Sequence, residues 1–131
     1  MKKTIFMLVA GLFVTALAMA QAPAKPWPVP EKAASVKNPV KPDATNLKEG
    51  RDLYVTHCQS CHGKKGKGDG TKAPQLETEC GDFTTAAFSK ETDGAVFYKI
   101  TEGRKDMPSF KKKIPEQSDV WNVVNYVRTL K

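Results

Sequence analysis

The chain is 131 residues long and carries 21 Lys and Arg against 14 Asp and Glu, a formal net charge of +7. That length admits one small domain and not several. The basic excess suits acidic partner surfaces or anionic lipid; nucleic-acid binding would need a recognisable module or a basic stripe with stacking aromatics, and the sequence has neither.

Residues 1–20 read as a secretory signal: Lys2 and Lys3, an apolar run from Ile5 to Leu17, and an A-x-A site at Ala18-Met19-Ala20. The run is shorter than the roughly 20 residues that comfortably span a bilayer. Cleavage between Ala20 and Gln21 would leave a periplasmic or otherwise exported protein. It would touch a membrane only through a partner or through an uncleaved signal. Residues 21–45 hold six of the nine prolines and almost no periodic apolar pattern, which predicts a flexible, extended linker. Trp27 is its one bulky residue, docked or exposed. Residues 46–131 remain as the folded domain, 86 residues, a size at which a protein core alone is marginal.

A helix is expected over about Leu47 to His57, with Asn46 and Glu49 as a capping pair. Leu47, Gly50 and Tyr54 share one face. Gly50 inside a helix costs about 1 kcal/mol relative to Ala, so a second helix is expected to cross close to its backbone. Next comes the pentad Cys58-Gln59-Ser60-Cys61-His62. C-x-x-C-H spacing lets two thiols add across haem vinyl groups while the adjacent imidazole sits beneath the iron. A zinc ribbon would need a second ligand pair, and a thioredoxin-like pair would need a βαβ context; the sequence offers neither. One covalently bound haem c per chain is the expectation, and a buried haem would add the apolar surface that a small domain lacks. Thioether attachment outside the cytoplasm agrees with export.

Gly63 to Lys90 is glycine-rich and reads as a loop wrapping the cofactor, longer than an ordinary turn. A second helix is expected over Asp93 to Glu102, with Thr92 as cap and Gly103 as stop. A third runs from about Glu116 to Leu130, with a stripe of Val120, Val123, Val124, Val127 and Leu130. Pro115 suits its first turn and Arg128 its negative end. No period-two stretch argues a strand, so the fold class is all-α.

Met107 is the one methionine in residues 21–131 and precedes Pro108 in the loop between these two helices. A residue before proline favours extended geometry, which suits an inward-facing side chain. Met107 is therefore a candidate second iron ligand, with core filling as the alternative. His57 lies beside the attachment point, so it suits a surface or propionate-contacting place better than the far side of the iron. Cys80 reads as a small packing residue, with a disulfide to another molecule or a redox role as alternatives. Lys64, Lys65 and Lys67, and Arg104, Lys105 and Lys111 to Lys113, bracket the two ligand candidates. They are either solvated charges or a docking ring for an acidic redox partner.

From Leu47 to Leu130 the chain resembles the monohaem class I cytochromes c. The resemblance rests on Cys58-Gln59-Ser60-Cys61-His62-Gly63, on Thr101-Glu102-Gly103-Arg104 leading to Met107-Pro108-x-Phe110, and on the helix containing Trp121, Val123, Val124, Tyr126 and Val127. It implies a small fold of helices and loops wrapped around one haem, with His62 as proximal ligand and Met107 as distal ligand. It further implies that Gly50 and Tyr54 meet Tyr126 where the first and last helices cross. Pro74-Gln75-Leu76 resembles the turn whose proline carbonyl accepts the proximal imidazole N–H. The implied function is single-electron transfer between protein redox partners, without catalysis by the chain itself. The alternative from another class is a haem enzyme or sensor with a labile Met107, binding peroxide or a gas.

Overall fold

The computed structural model describes residues 27–130, so the expected signal and its cleavage site lie outside the described residues. The elements in order are α1 (Glu31–Ala34), α2 (Ala44–His57), α3 (Gln59–His62), a 3-10 turn (Ala73–Gln75), α4 (Ala86–Ser89), α5 (Asp93–Glu102) and α6 (Gln117–Val127). No strand occurs among the described residues; an isolated antiparallel bridge joins Arg104 to Met107. The fold is all-α, as expected. No helix of the described residues is long and apolar enough to cross a membrane.

α2 begins earlier than expected because Asp43, not Asn46, caps it. The Asp43 carboxylate accepts the Asn46 backbone N–H at 2.9 Å, satisfying a first-turn donor that the helix cannot. Glu49 is free of capping and instead accepts from Asn122 Nδ2 at 2.9 Å on α6. The two helices cross at Gly50, where any Cβ would overlap the Asn122 carbonyl. Tyr54, one turn on, is fully buried and meets Tyr126 with ring centroids 5.3 Å apart. α6 contributes Val120, Trp121, Val123, Val124 and Val127 to the core, while α5 contributes Val96 and Ile100.

The ends of α5 match the sequence expectation. Thr92 Oγ1 accepts the Ala95 N–H at 3.2 Å, and Gly103 stops the helix at φ 69°. α6 is shorter than expected at both ends, because Glu116 has extended backbone and Arg128 closes the helix. The Arg128 guanidinium donates to Asp93 Oδ1 at 2.9 Å and to the carbonyls of Phe88 and Glu91 at 3.0 and 2.6 Å. It thereby ties the end of α6 to the loop before α5.

Residues 27–43 depart from the flexible linker expected over 21–45: they are docked on the domain. The Asn38 amide donates to Asn125 Oδ1 at 2.8 Å, and Asn125 Nδ2 donates to the Val40 carbonyl at 3.0 Å. Thr92 Oγ1 donates to the Ala34 carbonyl at 2.6 Å. A Cβ on Gly94 would overlap the carbonyls of Ala33 and Val36, so α1 lies directly on the backbone of α5. Trp27 docks too, under the charged groups of Lys99 and Arg104.

Candidate haem-binding site

Cys58 is at once the last cap of α2 and the first of α3. Its N–H reaches the Tyr54 carbonyl at 2.8 Å, and its own carbonyl accepts from Cys61 and His62 at 3.1 and 2.9 Å. One tight turn therefore carries both thiols and the imidazole. Gly63 ends it at φ 81°, in the left-handed region where glycine is unstrained. The Tyr54 hydroxyl donates to the Gly63 carbonyl at 2.7 Å, which pins the far end of the pentad to α2. Both thiols are free. Burial, with the Cys61 thiol beside it, pushes the Cys58 thiol up to about 12.

Burial favours the neutral form of His62. Burial pushes its pKa below the ordinary histidine value, and the Cys80 backbone, as a hydrogen-bond acceptor, opposes the shift only in part. Its Nδ1 is buried without a hydrogen bond, and such an atom is rare in a folded protein unless a further group satisfies it. The imidazole stacks on Phe83 with centroids 4.6 Å apart and planes 28° apart. Phe83 packs in turn on Phe88 at 4.8 Å, beneath the Arg128 guanidinium at 4.9 Å. Two free thiols, an imidazole whose burial favours its neutral form, and an aromatic wall suit a covalently held haem.

Met107 is half-buried against the core, at the base of the turn Arg104–Met107. Arg104 N–H donates to the Met107 carbonyl at 2.8 Å, and Met107 N–H donates back at 3.0 Å. Lys105 adopts φ 53° in this turn, a left-handed conformation that costs a side-chain-bearing residue roughly 1–2 kcal/mol. The Asp106 carboxylate accepts the Thr78 N–H at 2.8 Å, anchoring the turn to the loop that follows α3. Past the turn, Phe110 N–H donates to the Ile100 carbonyl at 3.1 Å and its ring is buried.

Pro74 lies exposed in the 3-10 turn, and no hydrogen bond joins it to the His62 imidazole among the described residues. The backbone that acts on that imidazole is Cys80's. His57 is half-buried beside Phe110, centroids 6.0 Å apart. Lys64, Lys65, Lys67, Lys105, Lys112 and Lys113 are exposed, and Lys111 pairs with Glu102 at 2.6 Å. Arg104 stands apart from the lysines, half-buried under Trp27. The sequence reading missed Phe83 and Phe88 as the wall behind His62. Both aromatics lie in the glycine-rich loop, and no periodicity marks them as apolar partners.

A haem-attachment pentad on one turn of a small all-helical fold defines a monohaem class I cytochrome c, an electron-transfer protein with one covalently bound haem c. More particularly, residues 45–127 match the family described as cytochrome c oxidase, cbb3-type, subunit III, and the chain belongs to it. No match was found among curated proteins. Among solved structures, the chain is similar to the Kuenenia stuttgartiensis reducing HAO-like protein complex Kustc0457/Kustc0458, at 29% identity and a TM-score of 0.62. That match covers 72% of this chain and 49% of the other, so the chain spans about half the length of its relative. It is also similar to the KustC0563 c-type cytochrome, at 31% identity and a TM-score of 0.55, covering 63% of this chain and 96% of that one. A point mutant of Kustc0563 matches at 29% identity and a TM-score of 0.54, covering 63% of this chain and 99% of the other.

Proposed function

We propose that the chain is an exported single-electron carrier whose iron is held between His62 and Met107. The observation that carries this reading is the single tight turn that brings both free thiols and the His62 imidazole together. Bound haem supplies a one-electron iron couple, and a thioether ligand favours its ferrous state. Cys58 and Cys61 would fix the macrocycle, and His62, kept neutral by burial, would offer its lone pair from the proximal side. Met107 would supply the distal sulfur from a turn tethered to Thr78. Pro74 and the Cys80 backbone are rival acceptors for the remaining imidazole N–H, a bond that orients the ring and tunes the metal.

In this reading residues 1–20 direct export and are removed before Gln21, and residues 46–131 form the haem domain. The far-red methionine-to-iron charge-transfer band of the ferric protein tests the ligand pair. It is expected in the native protein and lost in Met107→Ala; its absence from the native spectrum removes Met107 from the iron and favours an open, ligand-binding haem.

The lysines at 64, 65, 67 and 111–113 support a docking ring for an acidic redox partner, acting mainly on association rate. Replacing Lys111, Lys112 and Lys113 with Gln is expected to slow electron exchange with an anionic partner several-fold at low salt, converging on the native rate at high salt. Equal rates at every ionic strength would rule the ring out. The likeness to a chain of an HAO-like protein complex supports a second form of the same function, a subunit that stays bound to one enzyme.

A further inference from the structure

The turn Arg104–Met107 is held from outside its own sequence. Its backbone closes on itself through the Arg104–Met107 bridge, which places Lys105 in left-handed backbone at some cost to a residue with a side chain. Asp106 ties one side of the turn to Thr78. On the other side the Trp27 ring faces the Arg104 guanidinium at 4.7 Å and the Lys99 ammonium at 5.7 Å.

Trp27 belongs to a segment fastened to α6 at one end and to the start of α5 further back. Val40 is bonded to Asn125, Ala34 to Thr92, and the α1 backbone rests on Gly94. The ten residues of α5 span about 15 Å, and Trp27 reaches the far end, where Gly103 stops the helix and the turn begins. We infer that residues 27–43 are a latch and that Trp27, acting through Arg104, is a positioning residue for Met107. The inference rests on Met107 being the distal ligand. Its content is that a residue 80 positions away in sequence sets how often the sulfur leaves the iron.

The stack of an indole on a guanidinium is worth most when water is excluded from it, and both Trp27 and Arg104 are half-buried. With the ring removed, Arg104 would lose its cover and the turn its contact with the 27–43 segment. The open form of the turn would then gain population, and an external ligand would enter faster.

The test is the rate at which cyanide replaces the sixth ligand of the ferric, haem-loaded full chain. Trp27→Ala is expected to raise that rate about fivefold to tenfold, the population weight of a partly buried cation–π contact, and to lower the reduction potential. Trp27→Phe should restore most of the native rate. Val123→Ala, deep in α6 and 1% exposed, controls for global stability. If it raises the cyanide rate as much as Trp27→Ala at equal loss of stability, the latch is overturned. A Trp27→Ala rate within twofold of native, with the far-red band present in the native protein, also overturns it and leaves His62/Met107 ligation standing. A native protein without that band overturns the ligand reading and the latch together.

Discussion

The α2–α6 crossing and the segment 27–43 pack on the same domain by opposite means. At the crossing, backbone meets backbone: Gly50 lies against the Asn122 carbonyl, with Tyr54 and Val124 fully buried nearby. The 27–43 segment buries little of its own, and Val36 is 47% exposed. Asn38, Asn125, Thr92 and one stack on Trp27 hold it in place. The first region is cooperative with the domain, because it cannot open without exposing the core. The second can detach at the cost of a few polar contacts. Tolerance of substitution in such a fold therefore lies in the segment, while the crossing has almost none.

The largest break in that contrast should come from Gly50→Val. A branched side chain against a fixed carbonyl has nowhere to go, and a loss of about 3 kcal/mol is expected from overpacking. Chemical denaturation should show the loss, with α6 amides losing hydrogen-exchange protection together. Asn125→Ala sharpens the other half of the comparison. It orphans the Asn38 amide and the Val40 carbonyl for a cost of about 1–2 kcal/mol. Exchange should then quicken at the amides of Ser35 and Val36 while Val123 and Val124 stay protected. Equal loss of protection in both places would mean that the segment and the core open as one unit.

How much of this was legible in the sequence follows the same division. The pentad, Gly50 and the limits of α5 could be read because each depends on residues within one or two turns. Thr92 and Gly103 bracket ten residues and act on them directly. The start of α2 was harder, since Asp43 and Asn46 are both good caps and the first takes the second as its donor. The docking of residues 27–43 was not legible. Proline removes periodicity there, and holding partners such as Thr92, Gly94, Arg104 and Asn125 lie far along the chain. Phe83 and Phe88 were hidden for a related reason: an aromatic in a loop declares its role only when the wall it joins is assembled.

Cys58 carries a consequence for the order of events in the life of the chain. It is 9% exposed, and burial pushes its thiol up to about 12. A thiol reacts when it is reachable and ionised, and in the closed fold this one is neither. The thioether is therefore expected to form on an open chain, with folding sealing it afterwards. Haem mixed with the folded, haem-free chain should then leave the Cys58 thiol unreacted, which a thiol assay after unfolding would report.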